Sequence, residues 1–279
     1  MDSRKAVLIT GGTNGIGKAI AIELVKLGNK VTITGQTKEK CSLVAEQIQI
    51  TTGLCVDWIA SDLSTLEGIR STVHQFKTKN DSLHVLINNA GALFFRKIIT
   101  IDGFEKTFAL NHLNYFYLTY LLLDLIKESQ PARIINVTSM AHKGSNKFDF
   151  DNLNGEKYFF GWEAYSKSKL CNLLFTYELA RRLSGEKVTV NAFHPGYVGT
   201  SFAKNNGILF KVFTSIGSKI FARTPEKGAE TGIFLATNTD VESITGKYFV
   251  DRLETRSSEL SMDKSIAAKL WQVSMKIIQ

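Results

Sequence analysis

The feature that most constrains this chain is a regular alternation of short apolar runs with longer amphipathic stretches. Each run is mostly apolar or β-branched and does not alternate with polar residues, which is typical of a strand buried on both faces of a parallel sheet. The runs cover 6–9, 31–34, 56–60, 85–87, 133–137, 188–192 and 247–250. The stretches with helical periodicity cover 15–27, 38–51, 65–78, 102–127, 164–183, 225–237 and 263–277. This alternation predicts a doubly wound α/β fold with a central parallel sheet of about seven strands flanked by helices.

The 279 residues carry no composition shift, Pro/Ser-rich linker or internal repeat, so we expect a single domain over 1–279. Three Cys at wide spacings, without a Cys/His cluster, argue against a disulfide framework and against a metal site. No apolar run reaches the length of a membrane span, and we therefore expect a cytoplasmic protein without a transmembrane anchor. The net charge of +8 is scattered, which indicates a solvated basic surface rather than a nucleic-acid partner.

Small and polar residues follow five of the expected strands. Ligands of doubly wound sheets bind beyond the carboxyl ends of the strands, so these residues are candidates for a binding site. They are Thr10-Gly11, Ser61-Asp62, Asn88-Asn89-Ala90-Gly91, Thr138-Ser139 and Pro195-Gly196. Their recurrence at all five ends predicts one site along this edge of the sheet.

A glycine-rich loop, Thr-Gly-Gly-Thr-Asn-Gly-Ile-Gly over 10–17, joins the first strand to the first helix. Glycines permit a tight turn and let backbone amides approach a pyrophosphate at the positive end of the helix. The spacing of Gly11, Gly15 and Gly17 is one residue longer than the GxGxxG fingerprint, and an ordinary glycine-rich turn is the alternative. The position between strand and helix favours a dinucleotide site.

The end of the second strand bears on which dinucleotide binds. A site for NAD usually offers a carboxylate there to the ribose 2′-hydroxyl. This chain instead has Gln36, Thr37 and Lys38, and its first acid is Glu39. The missing carboxylate favours NADP(H) over NAD(H), because Gln36, Thr37 and Lys38 can donate hydrogen bonds to a 2′-phosphate. The alternative is that Lys38 is simply a solvated residue of a first helical turn.

Tyr165 and Lys169 lie four residues apart in a stretch of helical periodicity, so they share one helix face. A phenol has a pKa of about 10, and a neighbouring ammonium stabilises the phenolate and lowers that pKa. Ser139, after the fifth strand, can hydrogen-bond a carbonyl oxygen of the substrate. A Tyr/Lys pair at this spacing also arises by chance as an exposed pair, and its coincidence with the glycine loop and Ser139 favours catalysis.

The motifs TGxxxGxG, NNAG, a serine after strand five, YxxxK and a following PG together resemble the short-chain dehydrogenase/reductase family, whose fold is of the Rossmann type. The resemblance covers essentially the whole chain and implies that Ser139, Tyr165 and Lys169 are catalytic, with Asn111 holding a water of a proton relay. With the loop and the second strand, the expected contacts to the cofactor are Gly11, Thr13, Asn14, Gly15, Ile16, Gly17, Gln36, Thr37, Lys38, Asp62, Leu63, Asn88, Ala90, Gly91, Tyr165, Lys169, Pro195, Gly196, Val198 and Thr200.

A narrower resemblance rests on the insert 140–164, which places 25 residues between Ser139 and Tyr165. Its Phe-Asp-Phe-Asp-Asn-Leu-Asn-Gly run is similar to the retinol dehydrogenase and WW-domain oxidoreductase branch of the family. This resemblance implies an enzyme that interconverts a carbonyl and an alcohol on a small lipophilic molecule, such as a retinoid, steroid or aldehyde. Two departures are the lack of an N-terminal anchor and Gln36 in place of an arginine, which bear on membrane residence and on NADP preference respectively.

The apolar segment 201–223 is expected to form a substrate lid. A core helix, a dimer contact and a peripheral membrane contact are its alternatives. A homodimer through 102–127 and 164–183 is equally left open, since those apolar faces can also be core. His112 and His142 are secondary candidates for substrate contacts. The rival function is a non-catalytic NAD(P)-binding sensor or scaffold on the same fold, which has no need to keep the catalytic set together.

Overall fold

The computed structural model describes residues 4–145, 147–198 and 222–279. Within these residues the strands are β1 (Ala6–Ile9), β2 (Lys30–Gly35), β3 (Asp57–Ala60), β4 (Val85–Asn88), β5 (Ala132–Val137), β6 (Val188–His194), β7 (Lys247–Val250) and β8 (Leu253–Glu254). They form one sheet in the order β3-β2-β1-β4-β5-β6-β7-β8. All neighbours pair in parallel except β7 and β8, which are antiparallel.

The described α-helices are α1 (Gly15–Lys26), α2 (Lys38–Thr52), α3 (Leu66–Lys77), α4 (Lys106–Phe108), α5 (Asn114–Glu128), α6 (Gly161–Arg182), α7 (Pro225–Thr237) and α8 (Lys264–Ile278). A π-helical turn (Ala109–Leu113) joins α4 to α5, and short 3₁₀ turns cover Met140–Gly144, Phe150–Asn152, Thr239–Val241 and Glu259–Met262. Side chains fix several helix starts: Thr65, Thr224 and Asp263 accept hydrogen bonds from first-turn amides of α3, α7 and α8. None of the helices described is long and apolar enough to cross a membrane.

Apolar side chains on both faces of the sheet explain its two helical layers. Leu8 and Leu86 point to one face, where they pack with α3, α5 and α6. Val7, Ile9 and Ile87 point to the other face, where they pack with α1, α2 and α7. Successive strand residues alternate between faces, so a continuously apolar strand supplies both cores. This confirms the doubly wound α/β fold predicted from the alternation of runs.

The strand order reverses between β1 and β4, and this reversal locates the site. Connections leave β1 toward β2 on one side and β4 toward β5 on the other, so a crevice opens beyond their carboxyl ends. The glycine loop after β1 and the polar residues after β4, β5 and β6 therefore converge on the same edge.

The structure differs most from the expected elements at two places. The eighth strand, β8, has only two residues, both exposed, and offers no apolar run to detect. The helix expected over 102–127 begins only at Lys106, because a turn precedes it in which the amide of Lys106 donates to the carbonyl of Ile98 (2.8 Å). Glu105 then caps the helix by accepting from the amides of Thr107 and Phe108.

Two of the sequence-based expectations fall mainly outside the described residues. Thr200 and all but the last two residues of the expected lid, 201–223, are not among them. The insert 140–164 is described except for residue 146 and contains the two 3₁₀ turns between β5 and α6.

Candidate active site

The structure brings Ser139, Tyr165 and Lys169 together at the carboxyl end of β5. The Ser139 hydroxyl lies close enough to the Tyr165 hydroxyl for a side-chain hydrogen bond that acts to lower the pKa of the phenol. The ammonium nitrogen of Lys169 lies 5.7 Å from the centroid of the Tyr165 ring. Tyr165 is only 7% exposed and Lys169 only 4%, so the pair is buried rather than a chance pair on an exposed helix face.

The carbonyl of Val137, the last residue of β5, organises this cluster. It accepts hydrogen bonds from Lys169 Nζ (3.3 Å), Asn172 Nδ2 (3.4 Å) and the Tyr115 hydroxyl (3.4 Å). The hydroxyl of Thr138 donates to the main-chain carbonyl of Lys169 (2.8 Å). These bonds fix α6 against the end of β5, so the position of Lys169 is set from both its side chain and its backbone.

Burial dominates the electrostatics of the cluster. It raises the pKa of Tyr165 to about 12, although the hydrogen bond with Ser139 acts in the opposite direction. Burial also lowers the pKa of the Lys169 ammonium to about 7. The expectation that Lys169 lowers the pKa of Tyr165 is not met, because loss of water disfavours the phenolate and the ammonium alike. At neutral pH Tyr165 is therefore protonated and can serve as a proton donor.

Asn111 lies in the π-helical turn and is completely buried. Its amide oxygen accepts from the amide of Ala92 (2.9 Å), and its amide nitrogen donates to the carbonyl of Ala92 (3.0 Å) and to the Ser168 hydroxyl (2.9 Å). The side chain thus braces the loop after β4 against α6. π-Helical turns are frequent at functional sites. The water-holding role that the resemblance implies stays a prediction.

The glycine loop is compact because its glycines pack against neighbouring backbone and side chains. A Cβ on Gly17 would lie 2.5 Å from the carbonyl oxygen of Gly11, and one on Gly12 would lie 2.6 Å from the side chain of Ile33. Gly11 has a φ of +65°, in the left-handed region that favours glycine. The first glycines therefore serve close packing of the loop on β2 and on α1.

The start of α1 fits an anionic ligand such as a pyrophosphate. Asn14 caps the helix by accepting from the amide of Gly15 (2.8 Å), and the first turn carries no acidic residue. The amides of a helix N-terminus and its dipole favour negative charge. The structure around Thr13, Asn14 and Ile16 is thus compatible with the dinucleotide site that the glycine-rich loop predicts.

Asn89, which the sequence analysis named only as part of the run 88–91 and not among the expected cofactor contacts, holds the glycine loop to the end of β4. Its amide nitrogen donates to the carbonyls of Thr10 (2.9 Å) and Gly11 (3.2 Å). The Thr10 hydroxyl in turn accepts from the amides of Asn89 and Ala90. The only signal available was its place as the second Asn of the NNAG motif.

The residues expected to form the cofactor wall after β4 divide into two groups. Asn88 is completely buried and donates to Thr119 Oγ1 (3.0 Å) and Asn136 Oδ1 (2.9 Å), so its side chain faces the protein interior. Gly91 faces two of the residues predicted to be catalytic: a Cβ there would lie 3.1 Å from the Asn111 amide oxygen and 3.4 Å from Lys169 Nζ. A larger residue at 91 would therefore crowd Asn111 and Lys169 directly.

Asp62 and Leu63, both expected to contact the cofactor, also have different surroundings. Asp62 Oδ1 accepts from the amide (2.9 Å) and hydroxyl (2.7 Å) of Ser64, and this turn leads into α3. The side chain of Leu63 is buried in the core between the sheet and α3. The side chain of Leu63 is therefore committed to packing, which leaves only its backbone for a ligand.

At the end of β2, Gln36, Thr37 and Lys38 are exposed to solvent. Thr37 caps α2 by accepting from the amide of Lys40 (3.3 Å). The carboxylate of the nearby Glu39 accepts hydrogen bonds from the Glu39 backbone amide and from the Thr37 side chain, and these hold its pKa below the usual value. The one acid of this loop is thus tied to the start of α2.

At the end of β6, Pro195, Gly196 and Val198 lie against α7. Gly228 of α7 makes this approach possible, since a Cβ there would lie 2.6 Å from Val198 Cγ2 and 3.3 Å from Ile16 Cγ1. Val198 and Ile16 thus meet at one glycine, although they are far apart in sequence. Gly228 was missed by the sequence reasoning, because nothing near it in the chain distinguishes it from other helical glycines.

The expectations for two histidines are wrong. His112 is completely buried, 3.2 Å from the Ser274 hydroxyl, and burial lowers its pKa to about 3. His142 is also buried and accepts from the amide of Ser258 (3.2 Å). Neither ring is accessible to a substrate. Among the described residues no group of three or more potential ligands is placed to hold a metal ion.

A cavity of about 770 Å³ lies elsewhere, between the second half of α6 and the hairpin β7–β8. Its lining includes Tyr177, Arg181, Tyr248 and Arg256, and none of the predicted site residues. The candidate active site is therefore defined by the convergent strand ends and not by this cavity.

Comparison with known proteins agrees with this geometry. Residues 5–207 match the family described as short chain dehydrogenase. Retinol dehydrogenase 11 of Homo sapiens is 40% identical over 275 residues, covering 98% of this chain and 86% of that protein. Retinol dehydrogenase 14 of Mus musculus is 40% identical over 285 residues, covering 97% of this chain and 84% of that protein.

Solved structures show the same fold. An uncharacterised protein from Mycobacterium paratuberculosis has a TM-score of 0.77 and 30% identity, covering 98% of this chain and 93% of that chain. The NADP complex of RhlG from Pseudomonas aeruginosa has a TM-score of 0.70 and 28% identity, covering 88% and 93%. The chain therefore belongs to the short-chain dehydrogenase family, in its retinol dehydrogenase branch, and is an NAD(P)-dependent oxidoreductase acting on an alcohol or carbonyl group.

Proposed function

We propose that the protein is an NADP(H)-dependent oxidoreductase that interconverts a carbonyl and an alcohol on a small lipophilic molecule of the retinoid, steroid or aldehyde type. The observation that carries the proposal is the hydrogen-bonded pair of Ser139 and Tyr165 beside Lys169 at the end of β5. A hydroxyl that polarises an oxygen, a phenol that supplies a proton and a cation beside that phenol are the groups that carbonyl reduction requires.

In the direction of reduction, the Tyr165 hydroxyl donates its proton to the substrate oxygen while the Ser139 hydroxyl hydrogen-bonds that oxygen. The nicotinamide, when bound, supplies the hydride that goes to the carbonyl carbon. Because the pKa of Tyr165 is about 12, the donor is fully protonated at neutral pH. Lys169, when protonated, stabilises the phenolate that remains. Oxidation of an alcohol runs through the same groups in reverse.

The cofactor would be held by the loop 11–17 at the start of α1, by the backbone around Asp62 and Ala90–Gly91, and by the segment 195–198 after β6. The helix start without an acid suits the pyrophosphate. Exposed Gln36, Thr37 and Lys38 at the end of β2, with Glu39 tied to its own helix, suit a 2′-phosphate. The RhlG structure, which bears NADP, supports the same preference.

Large apolar side chains around the catalytic pair support a lipophilic substrate. Met140 and Tyr197 follow Ser139 and Gly196 directly, and each is half exposed or more. Trp162, also about half exposed, lies one helical turn before Tyr165, with the two ring centroids 5.9 Å apart. Exposed apolar groups beside a few polar ones are typical of small-molecule sites. The names of the retinol dehydrogenases point to the same substrate class.

The decisive experiment titrates the purified protein with NADPH and NADH by nicotinamide fluorescence and then offers retinal-like aldehydes, steroids and quinones. Tighter binding of NADPH and its oxidation with one substrate class would support the proposal. Preference for NADH would overturn the interpretation of Gln36–Lys38 alone. Binding without turnover on any substrate would overturn the proposed reaction. A cytoplasmic location and a homodimer stay predictions.

A further inference from the structure

The segment 195–198 is held by a residue that lies 25 or more positions further along the chain. The amide of Arg223 donates to the carbonyl of Tyr197 (2.8 Å), and Val198 and Arg223 pair in a short parallel bridge. The proposed function places this segment against the cofactor. It is not a free loop, because backbone pairing with Arg223 extends beyond the end of β6.

The side chain of Arg223 lies across Gly196. A Cβ on Gly196 would come within 2.5 Å of Arg223 Cδ and 2.7 Å of its Nε. Gly196 also has a φ of +84°, which favours glycine. The arginine stem thus occupies the space that any other residue at 196 would need, and the backbone of the segment is pressed directly against it.

The guanidinium of Arg223 ends in a two-pronged ion pair with Asp251. Nη1 contacts Oδ1, and Nη2 lies 3.0 Å from Oδ2. Parallel double contacts of this kind fix direction as well as distance, which a single ammonium contact does not. The arginine is therefore held at both ends, by Tyr197 through its amide and by Asp251 through its side chain.

Asp251 stands in an unusual turn. Asp251 and Arg252, between β7 and β8, have φ values of 51° and 67°, and neither is a glycine. Left-handed conformations cost such residues free energy and persist only where the surroundings hold them. The amide of Arg252 donates to the Thr231 hydroxyl on α7 (3.1 Å), which anchors the turn. The turn thus presents the Asp251 carboxylate to Arg223 from a fixed place.

We infer that Arg223 and Asp251 are positioning residues, whose ion pair clamps the segment 195–198 in the conformation that binds the dinucleotide. The inference rests on the proposed function, which places this segment at the cofactor. The side chains of Arg223 and Asp251 are 35% and 50% exposed, and pairs so exposed add little to global stability. The contribution of the pair is therefore to cofactor affinity, and not to folding.

The test compares R223Q, D251N and the double variant with the wild type by the KM for NADPH, kcat and the melting temperature. Each single variant should raise the KM about 2–5-fold, as expected for the loss of an exposed ion pair, and leave kcat within about twofold. The double variant should be no worse than either single variant, since the two side chains act as one pair. R223K should recover part of the affinity, because it keeps the charge but loses the fork. The melting temperature should move by at most about 2–4 °C.

The matched control is K26Q, which removes the Lys26–Glu23 pair on α1, with both side chains 47% exposed. It should leave the KM unchanged. An unchanged KM in R223Q would overturn the inference, as would additive effects in the double variant or a fall in kcat that parallels a loss of stability. If the wild type binds NADH instead, the same measurements apply to NADH. If the wild type binds neither dinucleotide, the proposed function fails and the inference fails with it.

Discussion

The two ends of the expected cofactor site differ sharply in their exposure. At the reacting end, Tyr165 and Lys169 are nearly inaccessible to water. Burial raises the pKa of Tyr165 and lowers the pKa of Lys169, so it favours the neutral form of both groups. At the end of β2, Gln36, Thr37 and Lys38 stand in solvent. Electrostatic interactions are strong where water is excluded and weak where it is not. Substitutions should therefore change the chemistry by orders of magnitude and the cofactor preference by much less.

Tyr165→Phe should give the largest effect. It removes the hydroxyl that is bonded to Ser139 and that donates the proton, and keeps the buried ring. We expect turnover to fall by about 10²–10⁴-fold, the usual contribution of a general acid, with NADPH binding retained. Steady-state kinetics and fluorescence titration check this.

Tyr158→Phe is the matched control, since its hydroxyl bonds Glu163 on the surface and it lies outside the catalytic cluster. It should behave as the wild type. Near-normal turnover in the Tyr165 variant would remove the phenol from the mechanism and leave the buried pair without its assigned role.

Lys169→Met should separate activity from stability. Turnover should fall by about 10²-fold or more, because no cation is left beside the phenolate. Stability should rise, because burial of an ammonium is unfavourable and methionine has a similar length. A loss of turnover together with a gain of stability is the result expected for a residue whose role is catalytic and not structural.

The pH dependence of that gain follows from the pKa of Lys169, which burial lowers from 10.5 to about 7. Between these values the unfolded chain binds a proton that the folded chain does not, so the free energy of unfolding of the wild type rises with pH. The variant lacks this dependence, and its advantage should be largest below pH 7 and should shrink by about 2 kcal/mol toward pH 9. Denaturant unfolding at pH 6 and pH 9 measures it; an advantage that grows with pH would contradict the burial argument.

The gathering of Ser139, Tyr165 and Lys169 was predictable because they are recognisable residue types at fixed places. Ser139 follows a strand, and Tyr165 and Lys169 share a helix face at a spacing of four. The rule that ligands bind at the carboxyl ends of strands then brought them to the same edge. Nothing beyond strand order was needed, and the sheet has the order that this rule requires.

What the sequence could not supply depends on burial and on distant partners. The pKa shift of Tyr165 has the opposite direction to the one expected from Lys169 alone, because the extent of burial is a property of the folded core. The contacts of Arg223 with Gly196 and Asp251 join segments with no common pattern. The start of the helix at Lys106 likewise depends on Glu105 acting as its cap, which the apolar periodicity of the sequence does not mark.

Asn111→Leu should test whether the loop after β4 is braced as the structure indicates. The change removes two donated hydrogen bonds and one accepted one, and leaves the buried amide of Ala92 without its partner. We expect a loss of about 2–4 kcal/mol in the free energy of unfolding, measured by denaturant titration. Asn14→Leu, which removes an exposed cap, should cost about 1 kcal/mol. Equal costs for the two variants would contradict the brace.

Lys38→Asp should give the smallest effect and is the sharpest test of the exposed end. The lysine is solvent-exposed at the first position of α2, where a carboxylate would repel a 2′-phosphate and also suit the helix dipole. We expect the affinity for NADPH to fall about tenfold, the affinity for NADH to hold, and turnover at saturation to stay within about twofold. Lys40→Asp makes the same charge change two residues further along the same helix, on a different face, and should leave both affinities unchanged. If the two variants lower the affinity for NADPH equally, the effect arises from the overall charge of the protein. Lys38 then does not contact the 2′-phosphate.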